Sequence, residues 1–157
     1  MEKFVDIKTV RSEAERLFLE KGFYCSEAIV SAVRDHIDPD MPIKLIASAS
    51  GFPIGVGKSK CMCGAISGSV ICLGYFFGRT SPSSPQDPQS VKTLELSNEA
   101  QQFFRDNYRV SCCSTQTKGM DMASGEHREQ CARFTGEMAE KTAEIIVREL
   151  GLEIVEG

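Results

Sequence analysis

One stretch constrains this chain more than any other. From Cys63 to Phe77 the residues CGAISGSVICLGYFF are apolar nearly all round. A helix that is apolar on every side belongs in the middle of other elements. The stretch falls short of the roughly 20 apolar residues that cross a membrane, and Gly64, Gly68 and Gly74 interrupt it. It reads as the buried central helix of a bundle, ended by Gly78. One side of it is small: Gly64, Ala65, Gly68 and Cys72. Such a stripe admits either a closely packed neighbouring helix or an inserted cofactor.

Other segments supply the surrounding helices. Val10, Ala14, Leu17 and Phe18 mark one face of a first helix from about Asp6 to Glu20, with Gly22 just past its end. Cys25, Ala28, Ile29, Ala32, Val33 and His36 form the inward stripe of a second. Asp38-Pro39 and Asp40-Met41-Pro42 break the chain before a short third helix carrying Ile43, Ile46 and Ala47. Asp87 as N-cap and Pro88 at the first helical position start a fifth, running to about Tyr108. Its apolar side is Leu94, Leu96, Ala100, Phe103 and Phe104. Ser124 caps a last helix, Gly125 to Leu150, whose inner face is Cys131, Phe134, Thr135, Met138, Thr142, Ile145 and Ile146; Gly151 ends it. Leu152 to Gly157 reads as a frayed end. No segment alternates with period two, so the expected fold is all-α, a bundle of about five to six helices.

A chain of 157 residues is one domain's worth. The linker-like stretch Thr80 to Pro88 reads as a long loop (79–88) inside a single domain, 1–157, because neither side has enough elements for its own core. Acidic residues outnumber basic ones 22 to 18, with no basic run, which argues against a nucleic-acid or anionic membrane surface. Gly51-Phe52-Pro53-Ile54-Gly55-Val56-Gly57 lacks the spacing of a phosphate loop. It predicts a turn where backbone passes close to something. No hydrolase or transferase motif is present.

The anomaly is seven cysteines beside two histidines and no tryptophan. The N-terminus is charged and lacks the apolar core of a signal peptide, so the expected compartment is the cytoplasm, where thiols stay reduced. An odd count rules out complete pairing. Most of these cysteines sit near helix ends: Cys25, Cys61 and Cys63, Cys112 and Cys113, and Cys131. A helix N-terminus favours thiolate, the form that ligates metal or attacks a disulfide. Four clusters at element ends invite the expectation that they meet. There is no C-x-x-C and no ferredoxin-type run. His36 and His127 read as surface or helix-end residues, although His127 lies one turn before Cys131 and a Cys–His dyad would need that contact.

Gly22-Phe23-Tyr24-Cys25-Ser26-Glu27-Ala28, then Cys63-Gly64-Ala65-Ile66-Ser67-Gly68, then Cys112-Cys113, then Cys131, resembles the C_GCAxxG_C_C family of redox proteins. The resemblance covers about residues 10 to 150. Its four signature cysteines fall on Cys25, Cys63, Cys113 and Cys131, with Cys112 and Cys61 as alternates; Ser114 stands where the family often has Arg. Cys72 lies outside the four and reads as plain core. The family counts as redox-active on its cysteines and genomic company, an iron–sulfur cluster is attributed to some members, and no substrate is agreed.

Three functions follow as expectations. In the first, Cys25, Cys63, Cys113 and Cys131 converge to hold an iron–sulfur cluster, with Gly64 and Gly68 giving it room, for electron transfer or redox sensing. In the second there is no metal, and Cys61/Cys63 or Cys113/Cys131 cycle between dithiol and disulfide as an oxidoreductase-type pair. In the third the four cysteines form a structural zinc site; ligands this far apart in sequence are unusual for zinc. A purely structural role for the thiols remains beside these. A redox role calls for a partner protein that supplies or takes electrons, and a helical bundle with long loops is compatible with a homodimer.

Overall fold

The first helix begins where Asp6 can cap it: its carboxylate accepts hydrogen bonds from the backbone N–H groups of Lys8 (2.9 Å) and Thr9 (3.2 Å). In the computed structural model, which describes residues 1–157, that helix is α1 (Ile7–Glu20). It is followed by α2 (Cys25–His36), the short α3 (Lys44–Ser48), α4 (Gly64–Phe77), α5 (Pro88–Tyr108), the single-turn α6 (Cys113–Gln116) and α7 (Gly125–Leu150). The fold is all-α, as the periodicity predicts. The expected caps are present. Asp87 accepts from Gln89 N–H at 2.8 Å, the Ser124 hydroxyl accepts from His127 N–H at 3.2 Å, and Gly151 adopts the left-handed conformation that closes α7.

Helix α4 lies at the centre, packed by α2, α5 and α7, while α1 lies mainly against α7 and α2. One continuous core joins Ile29, Leu73, Phe104, Met138, Ile145 and Ile146, all essentially inaccessible to water. The small stripe of α4 explains how its neighbours approach so closely. A Cβ placed on Gly68 would stand 2.8 Å from both the Cα and the carbonyl oxygen of Ser26. Gly68 therefore serves the α2–α4 contact rather than a cofactor's space. Cys72 is fully buried core.

Two elements depart from expectation. The C-terminal segment is not frayed: β2 (Glu153–Ile154) pairs in parallel with β1 (Phe4–Val5). Val155 N–H donates to the Val5 carbonyl and Glu153 N–H to that of Lys3, each at 3.0 Å. Two-residue ladders leave no periodicity to read, and what secures this one is Val5, which is buried in the core. The other departure is α6, one turn beginning at Cys113 inside what reads as loop. No helix is long and apolar enough to cross a membrane.

Candidate functional site

Four cysteines from four separate elements line one cavity of about 410 Å³: Cys25, Cys63, Cys113 and Cys131. Each is delivered by local structure. Cys25 is the first residue of α2, whose start is fixed by a capping box in which the Glu27 carboxylate accepts from Tyr24 N–H at 2.8 Å. Cys63 is the N-cap of α4. The next residue, Gly64, has no room for a side chain, because a Cβ there would overlap Cys25 Sγ. Cys131 sits in the second turn of α7, where its carbonyl accepts from the Thr135 hydroxyl at 2.7 Å.

Cys113 is placed by a short antiparallel bridge. Met62 lies opposite Cys112, Cys63 N–H donates to Ser111 C=O at 2.8 Å, and Cys113 N–H donates back to Cys61 C=O. This register sends Cys113 into the cavity and leaves Cys112 outside it, with its Sγ 2.9 Å from the Ser114 hydroxyl. Cys61 also stays outside and exposed. All seven cysteines are free thiols.

The glycine-rich segment before Cys61 makes the expected close approach, by an unusual route. Ile54, Gly55, Val56, Gly57, Lys58 and Lys60 all have positive φ, between 54° and 67°. The backbone thus winds in the left-handed sense, which costs a residue bearing a Cβ roughly 1–2 kcal/mol. Gly55 cannot be replaced here, since a Cβ would run into the backbone of Lys60 and Cys61. Hydrogen bonds from Lys60 N–H to Ile54 C=O and from Cys61 N–H to Gly55 C=O, both 2.9 Å, hold the coil. It sets Pro53 and Ile54 in the cavity wall.

The electrostatics reverse one expectation. Helix N-termini were expected to favour thiolate, yet burial pushes the Cys63 thiol up to about 12 against the opposing N–H groups of Ala65 and Ile66. Burial likewise pushes Cys131 to about 11, with the charge on Cys113 adding to it. Cys25 is raised well above an ordinary thiol, by burial first and then by Cys63, Cys131 and Cys113. Cys113 is raised too, again chiefly by burial. Mutual repulsion among these thiolates registers their closeness. Only Cys112 follows the helix-terminus rule: the Ser114 hydroxyl and the backbone N–H groups of Thr115 and Ser114 lower it.

His127 joins the site. Its Nε2 lies 3.4 Å from Cys131 Sγ, the one-turn contact that the spacing allows. Its Nδ1 is the one buried side-chain nitrogen or oxygen without a hydrogen-bond partner. His36 is not part of the cavity. Sequence reasoning makes none of the rest of the wall a site residue: Phe18 marks a helix face, Phe23 and Tyr24 only flank Cys25 in its motif, Met122 and Arg128 belong to no motif, and all five meet only on folding. The four thiols surround the cavity without converging on a point, and no three His, Cys, Asp or Glu side chains are arranged to hold a single metal ion.

These features define a class: an all-α bundle whose separate elements deliver four free cysteines to one cavity. The chain belongs to the C_GCAxxG_C_C family, whose model matches residues 23–145 and whose description reads "Putative redox-active protein". The matched span runs from the cavity wall at Phe23 through all four cavity cysteines. No curated protein and no solved structure matches the chain.

Proposed function

We propose that the four-cysteine cavity is the redox centre and that Cys25, Cys63, Cys113 and Cys131 hold an iron–sulfur cluster there. The carrying observation is the donor set: four thiols from four elements around one cavity, with no carboxylate in its wall. All-cysteine ligation suits both common cluster types. The absence of a side chain at Gly64 lets the Cys25 sulfur lie directly against the start of α4, beside Cys63. A cluster supplies a one-electron couple. The chain supplies apolar walls that limit water, and His127 next to Cys131 for a hydrogen bond to the sulfur. Because burial keeps the thiols protonated, loading iron must release protons and becomes easier as pH rises. A single zinc ion fits less well, since it requires sulfurs about 2.3 Å from one point.

Anaerobic reconstitution with ferrous iron and sulfide tests this. The expected result is visible absorption with matching iron and acid-labile sulfide, lost in Cys25→Ala and Cys113→Ala and kept in Cys112→Ala. A protein that stays colourless and iron-free under these conditions overturns it.

One observation favours a second reading, metal-free thiol–disulfide exchange. Cys112 is biased to thiolate and lies outside, next in sequence to Cys113 within. Attack by Cys112 on an external disulfide would form a mixed disulfide and release one thiolate. Transfer to Cys113 and resolution by Cys131 would then leave a Cys113–Cys131 bond, with the two electrons on the external disulfide. Mass mapping after incubation with oxidised glutathione would show that bond.

A further inference from the structure

The cavity is lopsided. Cys25 and Cys63 form its floor, while its outer part is walled by Phe18, Phe23 and Tyr24 and edged by exposed Arg128. At about 410 Å³ it falls in the range of small-molecule sites, roughly 300–1,000 Å³. Arg128 is the one formally charged side chain among the lining residues, and none of them is Asp or Glu. Unlike Arg11 and Arg148, which sit in carboxylate pairs, Arg128 has no acidic partner. It spends one N–H on the Leu19 carbonyl, at 2.7 Å, out of the five donors a guanidinium offers. One residue before it, the buried Nδ1 of His127 also lacks a partner. A buried polar atom left in this way destabilises the site unless something meets it.

We propose that the outer half of this cavity binds a small organic anion with a flat apolar body, its anionic group on Arg128 and its rings against Phe18, Phe23 and Tyr24. The occupant would lie above the thiols, where a molecule exchanging electrons with them must come. Its role as the redox substrate rests on the function proposed above; its binding does not. The charge selects an anion because a cation would face an unpaired guanidinium with no carboxylate to offset it. The aromatic walls select a ring-bearing body, since inorganic anions leave that apolar surface wet.

Two fluorescent probes with similar rings test this on the full reduced chain: anionic 1-anilinonaphthalene-8-sulfonate and uncharged N-phenyl-1-naphthylamine. The sulfonate should bind more tightly than the amine. Arg128→Gln should weaken the sulfonate by about tenfold or more, in line with a charge-assisted hydrogen bond, and leave the amine within about twofold. Arg128→Lys should restore much of the preference, and Lys44→Gln, on an exposed part of α3, should change neither probe. Bound sulfonate should slow alkylation of Cys113 and Cys131 but not of Cys112. Equal affinity for the two probes, equal weakening by Arg128→Gln, or binding that leaves Cys113 and Cys131 unprotected overturns the proposal. Iron uptake is read separately. A chain that binds sulfonate through Arg128 but takes up no iron leaves this site standing and removes the cluster, and the converse removes the site alone.

Discussion

Cys112 and Cys113 are covalent neighbours at the start of one helical turn, yet they occupy different media. Cys112 lies outside, beside a hydroxyl and free backbone N–H groups, and its thiol is pulled toward thiolate. Cys113 turns into the cavity, where burial pushes its thiol the other way. Both have the N-terminus of α6 within reach, so the helix dipole cannot account for the difference. Losing water costs a thiolate more than a few amide dipoles return. Cys63 makes the same point from the N-cap of a much longer helix.

The sharpest way to break this comparison is reactivity. With Cys63 near 12 and Cys112 below an ordinary thiol, the thiolate fraction at pH 8 is higher at Cys112 by more than about a thousandfold. Timed iodoacetamide labelling with peptide mapping should modify Cys112 first and Cys63 last. Comparable rates in the native protein would remove the burial argument.

Stability at alkaline pH comes next. A thiol whose pKa is raised by folding supports the native state fully below the unfolded value of about 9, and that support fades as pH rises toward the folded value. With Cys131 near 11 and Cys63 near 12, the metal-free, reduced protein should lose several degrees of Tm between pH 8 and pH 10.5. Cys112→Ser should not relieve that fall, since Cys112, whose thiol is lowered, contributes with the opposite sign.

Helix α4 carries both environments along its own length. Gly64→Ala would drive a methyl into Cys25 Sγ, at about 1–3 kcal/mol of overpacking, and should impair iron loading. Gly74→Ala meets nothing within 4 Å and should stabilise by about 0.5–1 kcal/mol through helix propensity. Urea denaturation of the two variants should give opposite signs.

The smallest effect belongs to a group governed by its partner instead of by burial. Arg148 holds the Glu99 carboxyl down at about 2, through paired hydrogen bonds of 2.8 Å. The pair's contribution is present above the unfolded carboxyl range and disappears as pH falls toward 2. Glu99 is about one-third exposed, so solvent screening limits Glu99→Gln to about 1 kcal/mol at neutral pH. The difference should narrow as pH falls toward 2 and vanish only below it.

The later helices were legible because their ends are written in single residues: Asp87, Ser124 and Gly151 each act through their own side chain or lack of one. The four cavity cysteines were legible for a similar reason, since spacing and element ends are properties of a string. Depth is not such a property, and depth is what sets the thiol pKa values. The aromatic wall stayed hidden because Phe18 and Tyr24 read as ordinary helix and loop residues until α1 and α2 fold past each other. The left-handed coil was half visible: Gly55 and Gly57 signalled a turn, while β-branched Ile54 and Val56 argue against its handedness.

The parallel pairing lays Phe4–Val5 beside Glu153–Ile154 with both strands running the same way, so Met1 lies by Asp38 and Gly157 by Asp6, at opposite ends of the ladder. A linker long enough to run back along that ladder could join the two strands, and new ends could be opened in the exposed 79–88 loop, leaving every helix and the cavity as they are. A circular permutant built in this way should fold, with its new ends in the loop between α4 and α5, away from all four cavity sulfurs.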